Sequence, residues 1–448
     1  MMSKMISVLC IALALVMLTS ATLWGAENWW HNDWEYRIGI SLQNISQVNL
    51  TAQPVIISGK DFLQKIGIKD SDESFNWPDE ENKAAGISIS SLRLVEKGNE
   101  LPLQVDKRDS AGFFIKRAED FLEQDDEIVF MVDIPAGQQA NYYIYFSHKP
   151  KTAPNYKSDI RIQPLGSKNN LGTLQAGNSR LSFTIKGPRS DAALDPNKVS
   201  ISNYCCGSMT QLRLLGEDAV YQMLYPTHRF DQIIPGTGGS KNIPFSLPQV
   251  VVDGPVRKVI EVTLVSQDDQ NATSGNEHRE TRYFSIYQGS GRIDFSNIFN
   301  YKVRPKYNPR YVAGGAFNME HSLLVPIDGM LKEINISEID LKKTGNQVYY
   351  TMDAPQEGWF AWLNRDNKIG MATFFDPTLF SAHILQRNPQ DNLGKYWGSP
   401  DNRLTAVRDA SWARLTFFAI TSAQEVKPFY EFWKNSGITF MQIEKADS

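Results

Sequence analysis

Cysteine is almost absent from this chain. Its 448 residues include three: Cys10 in the first apolar run, and the neighbours Cys205 and Cys206. No Cys-x-x-Cys pair occurs, which argues against cysteine-based zinc binding. Long apolar runs are missing too. Beyond Ile6 to Leu18 no stretch approaches the ~20 apolar residues that span a bilayer. Neither charge sign dominates: 46 Lys and Arg stand against 50 Asp and Glu, a net −4, so there is no basic field to attract nucleic acid. No Gly-x-Ser-x-Gly elbow, His-Glu-x-x-His helix or phosphate-binding Gly-x4-Gly-Lys-Ser/Thr loop occurs, which argues against serine esterases, zincins and nucleotide-dependent enzymes. Internal repeats and low-complexity tracts are absent. Helical periodicity is scarce, with Ala423 to Asn435 as its best instance.

What is present begins with a leader. Lys4 supplies a small positive region, Ile6 to Leu18 is apolar, and the chain turns polar and aromatic from Glu27. That order reads as a secretory signal over residues 1–26, with an uncleaved anchor as the alternative. The expectation is a secreted or periplasmic protein without a membrane span after signal removal. Export brings an oxidising compartment. Adjacent cysteines can close only a strained eight-membered ring, so a vicinal disulfide and two reduced thiols both stand for Cys205 and Cys206.

Short alternating apolar runs bounded by Gly, Pro, Asn and Asp fill the rest, the pattern of antiparallel strands. Tyr36 to Leu42, Ile87 to Leu94, Glu127 to Ile134, Asn141 to Phe146 and Arg180 to Ile185 are examples. Val256 to Val265, Thr281 to Tyr287, Arg292 to Phe299, Gly370 to Phe375 and Trp412 to Ile420 continue the series. The fold class expected is all-β, a small N-terminal β-sandwich followed by a large antiparallel sandwich with few helices. Pro150, Pro154 and Asn155 mark a break. The division is therefore a signal peptide at 1–26, a small sandwich at 27–150, a linker at 151–165 and a large sandwich at 166–448.

Two sets of runs carry a family resemblance. The first region opens WWHNDWEYRIGISLQN, continues with LPLQVD at 101–106 and DEIVF at 126–130, and closes on NYYIYFS. This order resembles the small N-terminal β-sandwich of secreted bacterial polysaccharide-degrading and polysaccharide-binding proteins. The second region carries GPVRKVIEVTL from Gly254 and RYFSIYQGSGRIDFSNIFNYKV from Arg282, two strands joined by a Gln-Gly-Ser-Gly turn. It resembles the galactose-mutarotase-like super-sandwich, a fold that supports polysaccharide lyases, the β-domains of glycoside hydrolases and sugar epimerases. The paired-His motif of aldose epimerases and the helical toroid of many such lyases are not evident, so mutarotation and lyase activity do not simply follow from the likeness.

The resemblance implies a sugar partner, and the residues supply chemistry for one. Cleaving an acidic polysaccharide by β-elimination needs a cation for the uronate, a base for the C5 proton and an acid for the leaving oxygen. Tyr225, His228 and Arg229 stand together in YPTHRF. Arg310, Tyr311 and His321 bracket RYVAGGAFNMEH, and His383 lies near Arg387. Each group joins an acid or base to an arginine able to hold a carboxylate in bidentate fashion. His228 and His321 lead as bases, Tyr225 and Tyr311 as acids. Hydrolysis instead needs two carboxylates ~5–10 Å apart; Glu320, Glu357, Asp376 and Asp409 are available, but no spacing marks a pair.

Binding needs less. Aromatic residues make up 11% of the chain, including 10 Trp and 17 Tyr, and flat rings stack on sugars as well as filling cores. Trp359, Tyr396 and Trp397 are candidate stacking residues, with Arg387 and Arg403 for polar contacts. Trp359 and Trp362 are three apart, so a regular strand sends them to opposite faces and puts one in the core. No cofactor is implied. Asp106 and Asp109, or Asp125, Asp126 and Glu127, offer calcium-type oxygens without the EF-hand order, and a solvated acidic turn is the simpler reading. The function expected is binding of a polysaccharide or oligosaccharide in the large sandwich, with lyase chemistry favoured over hydrolysis if the chain is an enzyme. The alternative is a non-catalytic glycan-binding or cell-surface scaffold.

Overall fold

Alternation of period two decides the architecture. In the run 282–287, Phe284 and Ile286 point to one side and Tyr283 and Tyr287 to the other, and all four are fully buried. A strand buried on both faces must have a layer packed on each. The computed structural model describes residues 29–67, 86–116, 120–166, 171–187, 207, 209–214, 225–226, 246–267, 277–300, 311–312, 321–335, 342–344, 347–353, 357–366, 368–377, 380–388, 393–400 and 410–446.

In chain order the first region holds β1 (Tyr36–Gln43), β2 (Leu50–Ser58), the helix α1 (Gly59–Lys65), β3 (Arg93–Glu96), β4 (Asn99–Leu101), β5 (Leu103–Asp106), β6 (Glu127–Ile134) and β7 (Gln139–Phe146). Then follow β8 (Arg161–Pro164), β9 (Leu174–Gly177), β10 (Leu181–Ile185), β11 (Met209–Leu214), β12 (Tyr225–Pro226), β13 (Gln249–Asp253), β14 (Arg257–Gln267), β15 (Glu277–Tyr287), β16 (Arg292–Asn300) and β17 (Tyr311–Val312). The remainder is β18 (His321–Ile327), β19 (Met330–Asn335), β20 (Lys342–Thr344), β21 (Gln347–Asp353), β22 (Trp359–Asn364), β23 (Gly370–Phe375), β24 (Phe380–Asn388), β25 (Leu393–Pro400), β26 (Ala410–Ile420), α2 (Val426–Lys434) and β27 (Thr439–Lys445).

The protein is all-β, with antiparallel sheets forming a small and a large sandwich. A five-stranded sheet, β27-β1-β7-β3-β4, faces a three-stranded one, β2-β6-β5. Ile38, Ile40, Val55, Ile57, Ile128, Phe130 and Ile144 fill the space between them. The chain's last strand thus pairs with its first, Tyr36 opposite Lys445. A nine-stranded sheet, β13-β14-β15-β16-β26-β23-β22-β18-β19, packs its inner face on the four-stranded sheet β11-β10-β9-β8. Phe183, Ile185 and Leu212 there meet Phe284, Phe295, Trp362 and Phe417. A six-stranded sheet, β12-β17-β25-β24-β21-β20, completes the large region.

The other face of the nine-stranded sheet carries the small sandwich. Val129 of β6 packs on Val256 and Tyr287, and Phe374 and Phe418 pack on α2. That helix buries Val426, Phe429 and Tyr430, the i, i+3, i+4 stripe expected of its sequence. Within the Gln-Gly-Ser-Gly turn Gly289 has φ +62°, a conformation glycine adopts without strain. One expected strand is shorter than its pattern: 89–91 forms a 3-10 turn before β3. The Asp120 carboxylate draws it in, accepting bonds from the Ser90 amide (3.0 Å), the Ser90 hydroxyl (2.8 Å) and the Ser88 hydroxyl. Among the described residues no helix is long and apolar enough to cross a membrane.

Candidate functional site

Residues opposite one another in an antiparallel ladder stand on the same face, and those two further along return to it. In the six-stranded sheet Tyr311 is opposite Gly398, and Gly398 is opposite His383. Tyr396 is two residues from Gly398 and opposite Leu385; Arg387 is two beyond Leu385 and opposite Gly394. Positions 311, 383, 387 and 396 therefore belong to one face. Tyr225, opposite Val312, and Trp397, opposite Ile384, belong to the other. Neighbouring strands lie ~4.8 Å apart, so positions 311 and 383 are ~10 Å apart with a glycine between them.

The other candidates fall elsewhere. His321 opens β18, opposite Asn364, in the nine-stranded sheet, so it and Tyr311 belong to different sheets. Trp359 is withdrawn as a stacking residue. It is 2% exposed, sits in the core beneath the small sandwich, and donates its indole N–H to Glu357 at 3.0 Å. Trp362, on the opposite face of β22, lies in the large core. The three-residue spacing does separate the two rings, but layers cover both sides. His228, Arg229, Arg310, Arg403, Cys205, Cys206 and the leader 1–26 lie outside the described residues.

The most highly charged buried positions were not legible as such in the sequence. Arg257, on the outer face of β14, meets Asp106 of β5 at 2.5 Å and also Glu127 of β6. Arg108 adds a second cation 2.9 Å from Glu127. Gln104 fixes the junction further, its side-chain oxygen accepting the Val256 and Arg257 amides at 3.0 Å each. Asp126 is fully buried and accepts from Lys107 at 3.0 Å. Asp126 and Glu127 are therefore ion-paired and packed, which corrects the solvated reading for them, whereas Asp125 is exposed as that reading expects. Among the described residues no group of three or more His, Cys, Asp or Glu is placed to hold a metal ion.

A second network lies on the same face. The Asp294 carboxylate accepts both branches of Arg292 at 2.8 Å, the Tyr287 hydroxyl at 2.6 Å and the Thr416 hydroxyl at 2.5 Å. Burial alone would raise such carboxylates. For Asp294 the guanidiniums of Arg292 and Arg414 prevail and hold it well below the usual range. Glu127 is likewise carried down to about 2, Arg257 and Arg108 outweighing its burial. Asp106 goes the other way: desolvation dominates and raises it, with Arg257 opposing. Asp106, Arg257, Arg292 and Asp294 are buried between layers while Glu127 and Arg414 reach partly to solvent, and both networks serve as structural locks.

No protein-family model matches the chain, and no curated protein is similar to it in sequence. Among solved structures it is similar to an alpha-mannosidase from Enterococcus faecalis V583, at 10% identity and TM-score 0.49, covering 92% of this chain and 46% of that one. It is also similar to a galactose mutarotase-like protein from Clostridium acetobutylicum, at 8% identity and TM-score 0.35, covering 59% of this chain and 99% of that one. A GH36 alpha-galactosidase from Geobacillus stearothermophilus is similar at 9% identity and TM-score 0.29, covering 58% and 41%. The chain spans less than half the length of the mannosidase.

Proposed function

We propose that this is a secreted carbohydrate-active protein that lays a uronate-containing polysaccharide along one face of the six-stranded sheet and cleaves it by β-elimination. The observation that carries the reading is the shared face of Tyr311, His383, Arg387 and Tyr396. These residue types are what the reaction requires. An imidazole accepts the C5 proton, a phenol protonates the departing glycosidic oxygen, and a guanidinium offsets the charge that grows on the carboxylate. A second tyrosine offers a ring for stacking. Glycine between the tyrosine and the histidine leaves room for a sugar ring.

His383 is assigned as base and Tyr311 as acid. Arg310 joins the proposal as the residue preceding Tyr311, and His228 and Arg229 as residues closely following Tyr225. The small N-terminal sandwich is proposed as a rigid support for the large one. The test is a panel of uronate polymers followed by near-ultraviolet absorbance of the unsaturated product. At least one polymer is expected to yield it. Tyr311→Phe and His383→Ala are each expected to lower the rate by roughly 10²-fold or more, with folding checked by melting. A panel without cleavage, in which glycan retention persists, would replace the lyase with a binding scaffold. Full activity in His383→Ala with loss in His228→Ala would move the base to His228.

A further inference from the structure

The four-stranded sheet has one face in the core and one to solvent. Ile162, Leu174, Ala176, Phe183 and Leu212 take the inner positions. Across the outer face runs a register row in which Arg161 is opposite Gly177, Gly177 opposite Ser182, and Ser182 opposite Arg213. Both arginines are exposed. No carboxylate among the described residues pairs with either. Between them the floor is low. A Cβ at Gly177 would stand 2.9 Å from the Ser182 Cβ, so the position favours glycine, and a shallow recess of about 430 Å³ lies over it.

The rim of that recess is polar. Gln163 and Gln175 bond to one another at 2.8 Å. Asp159 is the acidic member, and its two oxygens already accept the Ser179 and Gly289 amides at 3.0 Å each. Arg161 is the cation that lines the recess; Arg180, in the turn between β9 and β10, is exposed but lies outside its lining.

We propose that this outer face is a binding strip for an extended anionic polysaccharide, separate from the six-stranded sheet. The geometry selects the ligand class. Three strand spacings put the two arginine positions ~14 Å apart, so one small anion cannot reach both. A polymer with a carboxylate on successive sugars can, and guanidinium is the side chain suited to bidentate carboxylate contact. Amide and hydroxyl groups between the arginines match sugar hydroxyls. No apolar side chain stands in the register row, so it lacks the anchor that a protein or lipid partner would need.

The strip is tested in a background that removes the other site: the full chain carrying Tyr311→Phe, His383→Ala and Arg387→Ala. Binding of polygalacturonate is measured at low salt, before and after adding Arg161→Ala and Arg213→Ala. Affinity is expected to fall ~5-fold for one arginine and ~20-fold for both, the range of exposed charge contacts. Methyl-esterified polygalacturonate should bind the background protein no better than the double variant binds the acid form. Both arginines are exposed, so the variants should melt with the parent. The proposal is overturned if the double variant binds like its parent. It is also overturned if no acidic polymer binds the background protein, or if single-stranded DNA binds as tightly as polygalacturonate. Binding lost in the background but unaffected by the arginine substitutions in the otherwise native chain would keep the six-stranded site and discard the strip.

Discussion

The two faces of the nine-stranded sheet hold their neighbours by different physics. Its inner face meets the four-stranded sheet through Phe284, Phe295, Trp362 and Phe417, contacts that need only volume and pattern. Its outer face meets the small sandwich partly through Val129, Val256 and Tyr287, but also through Arg257 with Asp106 and Glu127. Apolar packing is forgiving of exchange. Buried ions are not, because removing one partner strands a charge away from water. The inner contact should therefore tolerate substitution that conserves size, and the outer one should not tolerate even substitution that conserves charge.

The largest effect is expected at Arg257. Arg257→Ala strips the buried Asp106 of its cation and leaves Glu127 with Arg108 alone, and should cost ~3–5 kcal/mol, read by chemical denaturation. Arg257→Lys should recover little, since an ammonium cannot serve both Asp106 and Glu127 with a planar fork. Full stability in either variant would contradict the lock.

Acid is the next lever. Glu127 titrates near 2 in the folded chain against an ordinary 4.5. A depressed acid contributes stability above its unfolded pKa and loses it as pH falls toward the folded one. Asp294 moves in the same direction. Asp106, being raised, has the opposite sign: its contribution is present at low pH and lost as pH rises through its folded value. The net expectation is a loss of stability between pH 4.5 and 2, to which Glu127 contributes up to ~3 kcal/mol and Asp294 adds, and which Asp106 opposes, with a shallower loss in Arg257→Ala. An unchanged melting temperature across that window would remove the ion pairs from the account. The smallest effect is expected on the inner face, where Leu415→Met, a swap of nearly equal volume, should cost below ~1.5 kcal/mol.

The same contrast explains what the sequence revealed. Local alternation gave Glu127 to Ile134 and Gly370 to Phe375 with the bounds observed for β6 and β23, and the helical periodicity over Ala423 to Asn435 contains α2, which is shorter at both ends. Side-chain period is a property of a few neighbouring residues. Pairing is not: β1 meets β27 some four hundred residues away, and no local signal reports it. Asp106 and Glu127 read as hydrated because their neutralising partner, Arg257, stands about 130 to 150 residues downstream. Trp359 read as a platform because nothing near it announces the layer that covers it. In the candidate site, Tyr311, Arg387 and Tyr396 were nameable from chemistry, and His383 from its neighbourhood. Their common face comes from the β17-β25-β24 order, which only the assembled sheet supplies.

Parity along β24 offers the most direct test of the glycan face. Arg387 stands on the face of Tyr311 and His383, and Gln386, opposite Lys395, stands on the other. Polygalacturonate affinity should be measured for the native chain, Arg387→Ala and Gln386→Ala, with the Arg161 and Arg213 positions replaced by alanine throughout. The account predicts a ~5-fold or greater loss for Arg387→Ala and an unchanged affinity for Gln386→Ala. Equal losses, or a loss confined to Gln386→Ala, would contradict it.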